Sequence, residues 1–126
     1  MSMRKLPPDI YRNLKKLELS AQTKTGQMEE TAILEGHEDD DDPRPMYVFV
    51  ILLSFGQRTG YIYDREGLHI PEPESFTYSV ERWKFRGSQL KGVETLLNKV
   101  KFDVAVKTYQ EQQEALKEEG YKLMHY

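Results

Sequence analysis

The chain has 126 residues and no cysteine, and its 18 basic and 21 acidic side chains give a formal net charge of −3. This length is typical of one domain with its own apolar core, so we predict a single domain over 1–126. The absence of cysteine excludes disulfides, thiolate zinc sites and cysteine nucleophiles. The charge balance excludes a protein that binds nucleic acid through an overall basic surface, but it allows a local basic patch.

No apolar run reaches the roughly 20 residues that a membrane-spanning helix needs, and the first residues lack the apolar stretch of a signal peptide. We therefore expect no membrane partner. Because a chain without cysteine suits a reducing compartment, we expect a cytoplasmic location.

The first part of the chain predicts a short helix followed by a β-hairpin. Apolar residues at intervals of three and four over 6–17, with two adjacent prolines at the start, are typical of an amphipathic helix. From Leu17 onward the apolar residues alternate with polar ones, which favours a strand over 17–23. A turn then leads to a second strand over 28–34, so that the two strands form a hairpin.

An acidic loop is predicted over 36–45. Five acidic residues follow one another there: Glu38, Asp39, Asp40, Asp41 and Asp42. Like charges at this density repel one another and cannot be buried, so the segment should be exposed. A solvated tether, a docking surface for a basic protein partner and mimicry of nucleic-acid phosphates all fit this run. We take the five residues as candidate partner-binding residues. Their contiguity does not suit calcium, which needs carboxylates at alternating positions of a turned loop.

The stretch Met46–Phe55, read as MYVFVILLSF, organises the rest of the chain. Its ten residues carry no charge and are rich in β-branched and aromatic side chains. Such a run is typical of a strand that is buried on both faces and central in its sheet. We expect it to pair with a short strand over 61–63 and with one strand of the early hairpin.

His69 is the titratable group for which we consider catalysis. It lies near Asp64, Glu66 and Glu72 in the sequence, so an enzyme that uses His69 as general acid or base is a weaker functional alternative. A partly exposed histidine beside a turn explains the same pattern. The three histidines are far apart in the sequence, so no metal site is predicted.

Basic and aromatic residues interleave near the end of a strand predicted over 76–85: Arg82, Trp83, Lys84, Phe85 and Arg86. Alternate residues of a strand share a face, so the three cations should lie on one side and the two rings on the other. Cations in a row grip phosphates and exposed rings stack on bases, which makes a nucleic-acid-binding module the alternative function. The simpler interpretation places the rings in the core and the cations on the solvent side of an edge strand. This strand and the acidic loop would also attract each other.

The remaining residues predict two helices and a last strand. Apolar residues at helical intervals between Ser88 and Val100 favour the first helix, with Ser88 as its N-cap. The second helix should begin at Asp103 and end at Gly120. The alternating residues 121–126 predict a short strand at a sheet edge.

We therefore predict an α+β fold, with a mostly antiparallel sheet of four to six strands and C-terminal helices packed on one face. If helices cover only that face, a second copy of the chain has to cover the other, so we expect a homodimer. No motif for a metal, a nucleotide or covalent catalysis is found, so we predict no cofactor. The function that we favour is that of a small non-enzymatic binding or accessory protein that acts through protein–protein contacts.

Overall fold

The computed structural model describes residues 6–37, 42–56, 61–63, 69–71 and 76–124, with the backbone alone at 61–63 and 69–71. The helices are α1 (Pro8–Thr23) and α2 (Phe102–Glu118). The strands are β1 (Gly26–Gly36), β2 (Met46–Phe55), β3 (Tyr61–Tyr63), β4 (His69–Pro71), β5 (Thr77–Arg86), β6 (Gln89–Val100) and β7 (Lys122–Leu123). Within these residues, no helix has the length and apolar character needed to cross a membrane.

The main sheet has five antiparallel strands in the order β6-β5-β2-β1-β7, which confirms the predicted α+β fold with an antiparallel sheet. β2 lies at its centre, as its uncharged sequence predicts, and pairs with β1 and β5. The expected pairing of β2 with 61–63 is wrong, because β3 pairs with β4 in a separate two-stranded sheet. Phe55 at the end of β2 pairs with Thr77 at the start of β5, and the strands β3 and β4 that lie between them in the chain are not part of the main sheet.

Each face of the main sheet packs against one helix. On one face, Ile10 and Leu17 of α1 pack with odd-numbered residues of β2. On the other face, Ala105 and Leu116 of α2 pack with even-numbered residues of β2. Because alternate side chains of a strand point to opposite faces and both faces are covered, residues 46–54 are all buried. A charge anywhere in that stretch would be buried without a partner, which explains why β2 has none.

The presence of α1 removes the reason for which a homodimer was expected. That expectation required one face of β2 to be left open, but α1 covers this face within the same chain. A dimer therefore needs another surface.

The helix α1 continues through 17–23, where a strand was predicted, so the predicted early hairpin is wrong. Leu17 and Ala21 lie in the core one helical turn apart, while Leu19 is 63 % exposed. The alternation that predicted a strand depends on Leu19, which is apolar although it faces solvent. β1 pairs with β2 instead of with 17–23.

The segment predicted as the first C-terminal helix is the strand β6, which pairs with β5. Ser88 therefore caps no helix. The chain turns between β5 and β6 at Gly87, whose φ of +59° is favoured by glycine. The second predicted helix is confirmed as α2, but its N-cap is Lys101, and Asp103 lies in its first turn instead of at its start. Gly120 follows the end of α2 with a φ of +99°, as expected of a C-terminal glycine.

Candidate functional site

The interleaved residues of β5 separate as predicted, with the rings on the face that α1 covers. Trp83 is 8 % exposed and Phe85 is fully buried. The Phe85 ring packs edge-on against Phe49 at a centroid distance of 5.4 Å and lies nearly parallel to the Trp83 ring at 6.3 Å. Both rings are therefore part of the core beneath α1. Base stacking needs an open ring face, which neither ring offers in this structure.

Cations of β5 form ion pairs on the opposite face. Arg82 pairs with Glu94 of β6, and Arg86 Nη1 lies 2.9 Å from Asp42 Oδ2. Lys84 lies between these arginines on the same face, in the wall of a cavity beside α2. The ion pairs offset part of the positive charge with which a phosphate backbone would be bound. Nucleic-acid binding by these residues stays a prediction.

Asp42 joins the acidic loop to the basic strand. Its carboxylate accepts hydrogen bonds from the backbone N–H and the guanidinium of Arg44, at 2.9–3.1 Å, and pairs with Arg86. The hydrogen bonds from Arg44, with a further one from Arg86, hold the pKa of Asp42 well below its ordinary value. The attraction expected between the loop and the strand is thus present at Asp42. The acidic residues 38–41 lie outside the described residues, so partner binding by the loop stays a prediction.

We expect Asp42→Asn to lower the urea midpoint of unfolding at neutral pH. The folded-state pKa of Asp42 lies below its ordinary value of about 3.9, so the charged carboxylate favours the folded state. This contribution is complete above that ordinary value and is lost as the pH falls toward the folded-state pKa. The difference between the wild type and Asp42→Asn should therefore shrink below about pH 4. At neutral pH it should also shrink in ~1 M NaCl, which screens exposed ion pairs. A difference that stays constant from pH 7 to pH 2 would contradict the role of the Asp42 charge.

A groove lined by aromatic and aliphatic side chains runs along the N-terminal half of α2. It consists of two adjoining cavities, of about 640 and 760 Å³, that share Phe76, Tyr78 and Phe102 in their walls. The rings of Tyr78 and Phe102 are 5.0 Å apart and tilted. The other apolar side chains of the groove come from β2, β6 and α2: Leu52, Val100, Val104, Val106 and Tyr109. We call this surface the aromatic groove.

Large apolar side chains of the aromatic groove face solvent. Phe102 is 51 % exposed, and Phe76 and Val104 are exposed as well. Single exposed apolar residues are common on proteins, but a cluster of them around a concave surface is typical of an interaction site. The aromatic groove is therefore the strongest candidate contact surface among the described residues.

The rim of the aromatic groove differs in charge at its two ends. Glu29 and Glu30 of β1 line the smaller cavity. Lys99 and Lys101 line the larger cavity together with Asp103, which leaves an excess of positive charge at that end. The groove can thus orient a bound segment by charge while it holds the segment by apolar contact.

The catalytic hypothesis at His69 is not tested by the described residues. The backbone of His69 pairs with that of Tyr63, whereas Asp64, Glu66 and Glu72 lie outside the described residues. In the described part of the chain, no group of three metal-ligating side chains occurs. General acid–base catalysis at His69 therefore stays a prediction.

Sequence reasoning did not find the aromatic groove. The sequence places Phe76 and Tyr78 on a strand and Phe102 near the start of a helix, but their approach depends on how α2 packs across β5. One signal is present in the sequence, because Val104 is apolar although it lies outside the buried stripe of α2. A single residue of this kind is common on proteins, so Val104 alone does not identify the groove.

No protein-family model matches the chain, and no curated protein or solved structure matches it either.

Proposed function

We propose that the protein is a small binding or accessory protein that acts through protein–protein contacts, with the aromatic groove as its contact surface. The observation that carries the proposal is the exposure of Phe76, Phe102 and Val104 around one concave surface. Burying such side chains against a partner stabilises a complex by removing apolar area from water. Aromatic side chains are also enriched among the residues that contribute most to protein–protein binding.

The charges of the rim define the partner that fits. An apolar side chain of the partner would enter between Phe76 and Phe102. On one side of this anchor, basic residues would face Glu29 and Glu30; on the other, acidic residues would face the end that carries Lys101. We therefore propose as partner a protein segment with an aliphatic or aromatic anchor between a basic and an acidic flank.

A display library of random ten-residue peptides tests this function. Peptides selected by the wild-type protein should share an apolar anchor with flanks of opposite charge. Val104→Asp should weaken their binding by about tenfold or more, because it places a charge beside the anchor. The matched control is Leu19→Asp, which makes the same change at an exposed leucine on the far side of α1 and should leave binding unchanged. Failure to select any peptide, or equal loss in both variants, would count against the proposal.

The acidic loop can be tested with the same selected peptides. Replacing the aspartates at 39–41 by asparagine leaves the ion pairs of Asp42 in place. Weaker binding by this variant would extend the contact surface to the loop, and unchanged binding would restrict it to the aromatic groove. The cytoplasmic location is part of the proposal, supported by a chain without cysteine. Nucleic-acid binding and catalysis remain the alternative predictions.

A further inference from the structure

β6 forms an open edge of the main sheet. It stands last in the order β6-β5-β2-β1-β7, and no strand of the described residues pairs with its outer side. Residues 89–95 are all exposed. Such an edge presents backbone N–H and C=O groups to any strand that approaches it, and proteins commonly protect it with charges. The charged residues of this stretch are Lys91 and Glu94, and the register with β5 shifts at Lys91, so the regular part of the stretch runs from Gly92 to Thr95.

On the face that α1 covers, β6 continues the apolar row of β5 to the edge. Val93 pairs with Trp83 in the register of the two strands, and Leu90 pairs with Phe85. Val93 is 47 % exposed and Leu90 is exposed to a similar extent, whereas the two rings beside them are buried. The apolar row therefore ends in water at β6.

On the opposite face, β6 has a gap at Gly92. Glu94 pairs with Arg82 in the register, and Gly92 pairs with Lys84. A Cβ added at Gly92 would meet no atom within 4 Å. The gap opens onto a cavity of about 470 Å³ that Arg82 and Lys84 line. A side chain that approaches from beyond the edge can therefore pass over Gly92 toward Lys84.

We propose that a second copy of the chain occupies this edge, with the two β6 strands antiparallel and related by a two-fold axis at Val93. Between Gly92 and Thr95, where β6 keeps a regular register with β5, residues equally far from the axis then stand opposite each other. Val93 meets Val93 of the partner subunit, which joins the two apolar rows into one. Glu94 of the partner subunit stands opposite Gly92, and Lys84 can extend over the glycine toward this carboxylate while the carboxylate keeps the ion pair with Arg82 of the partner subunit. The two five-stranded sheets become one continuous sheet.

The charges of β6 select this axis over its neighbours. An axis at Glu94 would place the two Glu94 carboxylates opposite each other. Like charges directly opposite are destabilising. An axis at Gly92 would place Lys91 opposite Val93 and leave the valines apart. Only the axis at Val93 pairs apolar with apolar and places Glu94 next to a cation of the other copy.

Single cysteine variants test the axis directly, because the chain has no cysteine and any disulfide must join two copies. Directly opposed residues of antiparallel strands have Cα atoms about 4.5–5.5 Å apart, within the range that a disulfide needs. Val93→Cys should therefore form a covalent dimer on mild oxidation. Gly92→Cys stands opposite 94 and should not, whereas the double variant Gly92→Cys with Glu94→Cys should. Leu19→Cys, exposed on α1, controls for random collision.

Sedimentation of the full chain measures the dimer without a covalent bond. The wild type should sediment as a dimer, and Val93→Lys and Gly92→Val should each raise the dimer Kd by about tenfold or more. Both changes are at exposed positions, so far-UV circular dichroism should show an unchanged fold. A wild type that stays monomeric at every concentration, or a dimer that Val93→Cys does not trap, would overturn the proposal.

Discussion

Replacing Phe49 by alanine should lower the free energy of unfolding by about 3–5 kcal/mol, as is usual for the loss of a buried phenylalanine. Phe49 is fully buried at the middle of β2, the central strand of the main sheet. Its ring packs edge-on against Phe85 beneath α1, so the change removes the contact of two rings as well as the apolar area of one. Because β1 and β5 flank β2, the surrounding side chains cannot collapse fully into the cavity. Urea unfolding, followed by tryptophan fluorescence, measures the loss.

The matched control for Phe49→Ala is Leu19→Ala. Leu19 is an apolar residue of similar character that faces solvent on α1, so its replacement should change the free energy of unfolding by no more than about 0.5 kcal/mol. If Phe49→Ala were as mild as this control, β2 would not lie between two covered faces.

Lys24→Met should lower the free energy of unfolding by about 2 kcal/mol, the cost expected when a charged hydrogen-bonding group loses its partner. The Glu81 carboxylate is 7 % exposed, and it accepts hydrogen bonds from Lys24 Nζ at 2.9 Å and from Trp83 Nε1 at 3.0 Å. Methionine keeps much of the apolar stem of lysine but removes the ammonium. The cost should stay below that of breaking a fully buried ion pair, because the Lys24 side chain is about half exposed.

A double-mutant cycle separates the effect of the Lys24 charge on Glu81 from the effect of changing the shape of the side chain. Glu81→Gln keeps an oxygen that can accept the hydrogen bond of the Trp83 indole, but it removes the charge that Lys24 balances. In the Glu81→Gln background, Lys24→Met should therefore cost less than about 1 kcal/mol. An equal cost in both backgrounds, measured by urea unfolding, would show that the ammonium does not act through Glu81.

The elements that sequence reasoning found are those whose burial is uniform. β2 has no charge because both of its faces are covered, and that pattern is readable without a structure. The presence and the end of α2 are likewise readable from the helix formers of 110–119 and from Gly120, although its N-cap is Lys101 and not Asp103. In both cases the local pattern and the tertiary environment agree.

The elements that sequence reasoning missed have apolar side chains that are exposed to solvent. Leu19 made the end of α1 look like a strand, although it takes no part in the core. In β6, the exposed Leu90 and Val93 complete a helical spacing with 96, 97 and 100, and a strand exposed on both faces shows no alternation that would correct it. Gly92 was the local sign against a helix, since glycine disfavours a helix interior.

The candidate surfaces were predictable only in part. The separation of rings and cations in β5 follows from strand periodicity, which a sequence shows directly. The aromatic groove and the open edge cannot be predicted from periodicity. They depend on how α2 crosses β5 and on which strand is last in the sheet. The pairing of Asp42 with Arg86 was predicted in part. The sequence predicts attraction between the acidic loop and the basic strand, but it does not identify Asp42 as the carboxylate that pairs.

The pairing of Phe55 with Thr77 has a consequence for how the chain can be extended. The described strands between these two residues, β3 and β4, pair with each other and not with the main sheet. Lengthening a flexible loop is inexpensive, about 0.6 kcal/mol for each doubling of its length. A designed insertion between Phe55 and Thr77 should therefore leave the register of the main sheet unchanged.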